Sequence, residues 1–171
     1  MSKSRAHILV LSYPSGLAWV LTESQMGWQE SSAHMGKGIQ RGDGLYIYAS
    51  RAAAPTLRGA IIGAATAVDA LRAFDSPKPV DGRSLTHGLP LDIEMLVDPH
   101  ATVTLGALVP ELPALDYARN RRAWTGHLQR GLVPLGQADE VALDRALVPA
   151  SDIDAARREY VRLARVAARS Q

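Results

Sequence analysis

The chain has 171 residues, the length of a single ordinary domain. Hydrophobic residues make up 47% and charged residues 21%, so the composition is globular and excludes disordered, collagen-like and coiled-coil classes. Cysteine is absent, which excludes disulfide scaffolds, thiol nucleophiles and cysteine-based metal sites. The net charge of +2 permits a polyanionic partner without requiring one.

Attachment to a membrane is not expected. Residues 8–11 are a short apolar run near the start, interrupted too early for a signal peptide or an anchor. No later stretch approaches the roughly 18 consecutive apolar residues of a membrane span. We therefore predict a soluble, cytoplasmic protein.

Extended segments dominate the first two thirds of the chain. Residues 45–49 carry the aromatic and β-branched side chains that are typical of a strand, and apolar residues alternate along residues 89–97. Prolines and a glycine indicate a surface loop over residues 76–82. The predicted strands cover residues 7–11, 45–49, 59–68, 89–97, 102–105 and 132–136.

Helices are predicted between and after these strands. The Ser-x-x-Asp pattern from Ser151 to Asp154 is typical of a helix start. The apolar stripe of this last helix must be covered, so we expect it to pack on the domain. The predicted helices cover residues 31–35, 116–128, 139–147 and 151–169. The apolar positions are Val141, Leu143, Ala146 and Leu147 in one helix, and Ile153, Tyr160, Leu163 and Val166 in the last.

The order of elements predicts the fold class. Strands come first, with helices inserted among them and appended after them, which indicates an α+β domain built on a small curved or closed sheet. Strands and helices do not alternate along the chain, so a parallel sheet is not expected. We predict one domain over residues 1–150, and a basic amphipathic helix over residues 151–171 that packs on it.

The motifs of common enzymes are missing. Gly36-Lys37 is followed by Gly38 instead of Ser or Thr, so it is not a phosphate-binding P-loop. The five histidines lack the i,i+3 or i,i+4 pairing of a helical zinc site. Asp92 and Glu94 are spaced like the carboxylates of a metal-dependent nuclease, but no lysine follows them. We expect no catalytic residue, no metal site and no cofactor.

Aromatic residues are few, and several of them stand early in the chain. They make up 5% of the residues, and Tyr13, Trp19, Trp28 and Tyr48 fall at strand ends or beside loops. Rings in such places can line a pocket for a flat ligand. The alternative is that Trp19 and Trp28 pack the core.

Basic residues concentrate late in the chain, and nearly all of them are arginines, which suit phosphate contacts. One group lies around Trp124 in the sequence, and the other lies along the last predicted helix. Two interpretations are open for each group. Its arginines contact the phosphate backbone of a nucleic acid, or they form a helix face that is exposed to solvent. The groups are Arg119, Arg121, Arg122 and Arg130, and Arg157, Arg158, Arg162, Arg165 and Arg169.

A series of short motifs runs along roughly residues 7–147. It begins with a strand that ends in Ser12-Tyr13-Pro14, and it continues with Trp28-Gln29, Gly36-Lys37 and a Gly42-Asp43 turn into a strand. Its later members are residues 59–65, 108–112, 115–124, 128–131 and Asp139. Their order resembles the EVE domain, a member of the PUA-like group that also contains YTH, SRA and ASCH domains.

The resemblance implies a fold and a function. The implied fold is α+β, a PUA-like mixed β-barrel or pseudo-barrel flanked by short helices, here with an added C-terminal helix. The implied function is a reader that flips a methylated base of DNA, 5-methylcytosine above all, into an aromatic pocket. The implied partner is modified double-stranded DNA, and a role in restriction would require a separate nuclease partner. The oligomeric state stays open.

The resemblance also implies roles for individual residues. Trp28 is expected to stack on the base and Gln29 to read its edge, while Trp19 is assigned from its nearness in sequence. The implied base-binding residues are Ser12, Tyr13, Trp19, Trp28, Gln29, Tyr48 and Ser50. The residues implied to contact the nucleic-acid backbone are His34, Lys37, Arg51, Arg121 and Arg122.

Other functions stay open at this stage. An RNA-binding module would recognise a modified base in a single strand, where no flipping cost arises, and its sugar preference would separate it from a DNA reader. A domain that binds or transforms a nucleotide or small metabolite would need a titratable group or a metal in its pocket for catalysis. An interaction domain with a vestigial pocket would lose stability, but no ligand, in a Trp28→Ala variant.

Overall fold

The computed structural model describes residues 4–115 and 124–171. The strands are β1 (Ala6–Leu11), β2 (Gln25–Trp28), β3 (Gly44–Ala49), β4 (Ala60–Ala67), β5 (Arg72–Val80), β6 (Arg83–Leu96) and β7 (Leu132–Leu135). The α-helices are α1 (Pro14–Glu23), α2 (Leu105–Leu108), α3 (Trp124–Leu128), α4 (Gln137–Ala146) and α5 (Ile153–Arg169). Short 3-10 helices cover Glu30–Gly36, Pro55–Leu57 and Val109–Glu111.

The strands form one curled, mixed sheet in the order β2-β6-β4-β3-β1-β7, with β5 added to β6. β1 and β3 are parallel, with Val10 opposite Tyr48 and Leu11 opposite Ala49, and the other pairs are antiparallel. The second half of β6 pairs with β4, whereas its first half pairs with β2 and β5. This long strand therefore turns the sheet, as corner strands do in closed or packed sheets.

Each face of the sheet carries a hydrophobic core. β1 contributes to both cores, because successive side chains of a strand point to opposite faces. Leu9 and Leu11 belong to the core that α1 and α5 cover, whereas Ile8 and Val10 belong to the core on the opposite face, with α2 and α4. Every residue of β1 is buried. A strand that is covered on both faces has no polar face, which explains the continuous apolar run that predicted this strand.

α5 packs on α1 and on the end of β6. The Tyr160 hydroxyl donates a hydrogen bond to the carbonyl of Val97 at 2.8 Å, in a fully buried position. Nη1 of Arg157 donates to the carbonyl of Leu21, at the end of α1, at 2.5 Å. Within the described residues, no helix is both long and apolar enough to cross a bilayer.

The start and the buried face of α5 differ from the sequence prediction. Asp152, not Ser151, caps the helix, because its carboxylate accepts the N–H groups of Asp154 and Ala155. Val166, which was assigned to the buried stripe, is 50% exposed. Alanines fill most of the buried face because their small side chains let the helix approach α1 closely. The buried residues are Ala156, Tyr160, Ala164 and Ala167.

Two predictions about the strands are wrong. Residues 76–82 are not a surface loop: β5 continues to Val80, and Asp81 and Gly82, with φ of 50° and 72°, form a tight turn into β6. Residues 102–105 are not a strand, because only Thr104 forms a bridge, to Ala60, before α2 begins.

The predicted apolar face of α4 also needs a correction, since Val141 is 50% exposed while Leu143 is fully buried. The helix presents one narrow apolar stripe to the core, and Val141 lies outside it.

Candidate functional site

A cavity of about 180 Å³ opens at the carboxyl end of β1, between α1, β2 and residues 128–131. We call it the first cavity. Its lining includes three aromatic rings, and it is bounded by Ser12, Tyr13, Trp19, Trp28, Gln29 and Arg83. The residues at the carboxyl ends of β1 and β2 both line it, so residues far apart in sequence share one hollow.

Two of the rings are held by close contacts with glycines. Trp28 is 5% exposed, and a Cβ atom on Gly36 would lie 3.1 Å from its ring. Trp19 is half-buried, and a Cβ atom on Gly27 would lie 3.1 Å from its ring. Trp28 therefore packs the core and lines the cavity at once, so both sequence interpretations of this residue describe part of its position.

The third ring, Tyr13, is fixed by the β5–β6 hairpin. The guanidinium carbon of Arg83 lies 3.7 Å from the centroid of the Tyr13 ring, which is a cation–π contact. The Ser15 hydroxyl donates to Asp81 at 3.0 Å, and this bond joins the turn of the hairpin to the start of α1. Burial raises the pKa of the Tyr13 hydroxyl, so the ring stays neutral at physiological pH.

Polar side chains lie on the rim of the first cavity. Ser12, Gln29 and Gln129 are exposed and line it, and the Ser32 hydroxyl donates to the carbonyl of Gln29 at 3.3 Å. A hydroxyl and two primary amides offer both donors and acceptors. The site therefore combines flat apolar surfaces inside with hydrogen-bonding groups at its mouth, the arrangement that a heterocycle requires.

A second cavity, of about 750 Å³, adjoins the first. It is bounded by Tyr48, Ser50, Arg51, Arg58, Thr104 and Trp124, and we call it the second cavity. Burial raises the pKa of the Tyr48 hydroxyl, and the nearby positive charge of Arg51 opposes that effect. The residues common to both cavities are Val10, Ser12, Leu128 and Gln129.

The structure divides the predicted base-binding residues between the two cavities. Ser12, Tyr13, Trp19, Trp28 and Gln29 line the first, whereas Tyr48 and Ser50 line the second, together with Ser12. The strand register explains the division. Tyr48 lies beside Val10 and shares its core, and Trp28 belongs to the core on the opposite face of the sheet. The expectation that Tyr48 and Ser50 face the same cavity as Trp28 is therefore corrected.

The residues predicted to contact the nucleic-acid backbone are dispersed. His34 and Lys37 are exposed at the 3-10 helix Glu30–Gly36 and line neither cavity. Arg51 lines the second cavity. Arg121 and Arg122 lie outside the described residues.

Sequence reasoning missed Arg83. It stands in the first cavity because the Asp81-Gly82 turn folds β6 back along β5 and brings Arg83 to Tyr13. An Asp-Gly pair is the strongest short-range signal for a hairpin with a two-residue turn, and this signal would have predicted the β5–β6 hairpin.

Away from the two cavities, one histidine and one aspartate form a buried pair. His7 and Asp43 are buried at the other end of β1, with Nε2 of His7 3.7 Å from Oδ2 of Asp43. Asp43 accepts the backbone N–H groups of Arg5 and Gln40 at 2.9 Å, so it ties a turn together. Among residues 4–115 and 124–171, no three histidine, aspartate or glutamate side chains gather closely enough to hold a metal ion.

Solved structures with a similar fold include YTH domains. The Pho92 YTH domain in complex with m6A matches at a TM-score of 0.56 and 11% identity, over 88% of this chain and 87% of that one. The YTH domain of the Zygosaccharomyces rouxii MRB1 protein, in complex with N6-methyladenosine RNA, matches at 0.54 and 13% identity, over 90% and 92%. Human THYN1 in complex with 5-methylcytosine containing DNA matches at 0.47 and 13% identity, over 82% and 95%.

Sequence comparison gives no family. No family model matches the chain, and no curated protein matches it significantly. The structural likenesses concern the fold alone, and the expected α+β PUA-like pseudo-barrel is confirmed. Membership of the EVE family stays a prediction.

Proposed function

We propose that this chain is a reader of modified nucleic acid that takes one methylated base, 5-methylcytosine in DNA, into the first cavity. The observation that carries the proposal is the joining of three aromatic rings, Tyr13, Trp19 and Trp28, with hydrogen-bonding groups at the rim of one small hollow. The same proposal includes membership of the EVE family, a cytoplasmic location and the absence of a catalytic role.

The energy of binding is consistent with extrusion of a base. Taking a base out of a duplex costs a few kcal/mol. Stacking on an aromatic side chain returns about 1–3 kcal/mol per base, and hydrogen bonds from Ser12, Gln29 or Gln129 to the base edge add to this. One base held between rings is therefore sufficient to offset its extrusion.

The first cavity is large enough for a pyrimidine ring. An apolar cavity of about 150 Å³ holds benzene, and the first cavity measures about 180 Å³. A methyl group contributes only about 0.8 kcal/mol on burial, so preference for a methylated base requires a fitted apolar wall. Val20, Met26 and Leu85 line the cavity and supply such surfaces.

Structures with the same fold support recognition of a modified base in general. The two YTH domains described above were solved with m6A and with N6-methyladenosine RNA. They also favour a second candidate, recognition of a methylated base in single-stranded RNA, where no base must leave a duplex. The ligand panel that tests the first candidate therefore includes this one.

The test is binding measured by fluorescence anisotropy at fixed salt. The probes are matched DNA duplexes that differ only in cytosine, 5-methylcytosine, 5-hydroxymethylcytosine or N6-methyladenine, the corresponding single strands, and an RNA strand with and without N6-methyladenosine. We expect the 5-methylcytosine DNA to bind at least about fivefold more tightly than unmodified DNA. Preference for the modified RNA would select the second candidate. Equal, salt-sensitive binding to every probe would contradict both.

Two variants separate binding from folding. Trp28→Ala is expected to abolish the preference for the modified base, but Trp28 is part of the core, so its folding must be checked by circular dichroism. Gln29→Ala removes an exposed amide at the rim and leaves the core intact. Loss of discrimination in the folded Gln29→Ala protein would support edge recognition in the first cavity.

A catalytic role is tested separately. Incubation of the preferred modified strand with the protein, with and without divalent metal ions, is expected to leave the strand and its base unchanged by mass spectrometry. Conversion of the base or cleavage of the strand would overturn that part of the proposal.

A further inference from the structure

The second cavity is a positively charged hollow. Arg51 and Arg58 line it, and no aspartate or glutamate is among the described residues around it. Within the described part of the chain, neither arginine forms an ion pair with a carboxylate. Two unpaired guanidinium groups in a concave surface favour an anion, and a phosphate group matches their forked geometry.

The same cavity offers flat surfaces beside these charges. Trp124, at the start of α3, is half-buried and lines the cavity, and its ring lies over Gly106, where a Cβ atom would be 3.3 Å away. Tyr48 lines it as well. A volume of about 750 Å³ falls within the roughly 300–1,000 Å³ of pockets that enclose an organic ligand. Stacking surface, hydroxyl groups and positive charge together match a nucleotide.

The two cavities share one wall, which we call the ridge, and a nucleotide in the second cavity would lie directly across it from the first. Val10, Ser12, Leu128 and Gln129 line both cavities, and Ser12 and Gln129 are exposed. A chain that enters the first cavity and continues over this ridge arrives directly in the second. The two hollows therefore suit two consecutive residues of one polymer.

We propose that the second cavity holds the nucleotide next to the modified base on the same strand, with its base against Trp124 and its phosphate between Arg51 and Arg58. This inference rests on the proposed function of the first cavity. In a duplex it requires two adjacent nucleotides to leave the stack, at a cost of a few kcal/mol each. Single-stranded DNA of the same sequence is therefore expected to bind at least as tightly as the duplex.

The test compares a nucleoside with a dinucleotide by isothermal titration calorimetry. The probes are 5-methyl-2′-deoxycytidine and the two deoxydinucleotides that carry 5-methylcytosine at their 5′ or 3′ position. Wild-type protein is expected to bind one dinucleotide about tenfold more tightly than the nucleoside, because an added stacked base is worth about a factor of 5–150. Arg51→Gln, Arg58→Asn and Trp124→Ala should each reduce this gain and leave the affinity for the nucleoside unchanged.

Arg58→Asn and Arg41→Gln make the comparison decisive. Asparagine tolerates the left-handed backbone of Arg58, with φ of 56°, so this variant keeps the fold even if Trp124→Ala does not. Arg41→Gln removes the same charge at the opposite end of β3 and should keep the full gain.

The outcomes separate the two proposals. Equal affinity for nucleoside and dinucleotide, or an equal loss of both in the variants, would overturn this inference and leave the first cavity in place. Failure of the nucleoside and both dinucleotides to bind would overturn the proposed function and this inference with it. Tight binding of an unrelated organic phosphate in the second cavity, without gain for a dinucleotide, would identify a separate small-molecule site and also contradict the inference.

Discussion

The guanidinium group of Arg83 stacks on the ring of Tyr13, with 3.7 Å between its central carbon and the ring centroid. The two residues come from different parts of the fold, β6 and the turn before α1. Their contact joins the β5–β6 hairpin to the helix and fixes one aromatic side of the first cavity. Rigid placement of this ring before a ligand arrives lowers the entropy cost of binding.

Replacing Arg83 tests the importance of this contact. Arg83→Met keeps an apolar stem but removes the planar cation, so Tyr13 loses about 0.5–1 kcal/mol of stabilisation in its observed position. Binding of the modified base should weaken by roughly two- to fivefold in anisotropy titrations. Arg72→Met is the control, since Arg72 is exposed on the same hairpin and its ion pair among the described residues is with Asp69. An equal effect of both variants would argue against a specific role of Arg83.

A glycine beside Tyr13 allows binding to be separated from stability. In Gly16→Ala the new Cβ atom would lie 2.7 Å from Cε2 of Tyr13, so the ring must move. Alanine is better than glycine within a helix by about 1 kcal/mol, which offsets the cost of that movement. The variant should unfold near the wild-type temperature yet bind the modified base more weakly. Gly38→Ala, with open space around its new Cβ, should change neither property, and unaltered binding by Gly16→Ala would refute the role of the Tyr13 position.

The buried His7 predicts a pH dependence of stability. Burial lowers the pKa of His7 below its usual value near 6.5, and Arg5 adds to this, while Asp43 opposes it without outweighing burial. Below pH 6.5 the unfolded chain therefore binds a proton more readily than the folded one. The free energy of unfolding should fall as the pH falls from about 6.5 to the folded-state pKa of His7.

Urea unfolding at about pH 7.5 and about pH 5.5 measures this contribution. His7→Leu should reduce the difference between the two stabilities. His34→Gln, at an exposed position, should leave the difference as it is in the wild type. If His7→Leu keeps the full wild-type difference between the two stabilities, the pH dependence arises from other titratable groups.

The packing of α5 predicts the effect of a single oxygen. Tyr160→Phe removes the hydroxyl that bonds the carbonyl of Val97 and leaves that acceptor without this partner in a buried position. The free energy of unfolding should fall by about 1–3 kcal/mol. Val166→Ala, on the exposed side of the same helix, should cost less than about 0.5 kcal/mol. Equal losses in the two variants would contradict the burial assigned to Tyr160.

The sequence predicted those elements that carry a clear apolar pattern of their own. β1 and β3 are buried along nearly their whole length because both faces of the sheet are covered, and their continuous apolar runs predicted them as strands. The β5 part of the hairpin was missed because nearly all of it is exposed, so no apolar pattern marks it. Residues 102–105 are β-branched enough for a strand, yet a single bridge is their only pairing among the described residues.

The candidate site was predictable only in part, for a geometric reason. Ser12 and Tyr13 follow directly on β1, and Trp28 and Gln29 lie at the end of β2, so residues near in sequence stay together. The division between the cavities depends on the register of β1 with β3, and the position of Arg83 depends on the hairpin turn. Neither long-range relationship follows from local patterns.

The most direct test of the central claim uses the three tryptophans as reporters. Trp19 and Trp28 line the first cavity and Trp124 lines the second, so their indole N–H resonances distinguish the two sites. In a ¹H–¹⁵N titration with 5-methyl-2′-deoxycytidine, the resonances of Trp19 and Trp28 should shift and saturate, with a smaller response to 2′-deoxycytidine, while that of Trp124 stays in place. No shift of Trp19 and Trp28, or a shift of Trp124 alone, would contradict a base-binding first cavity.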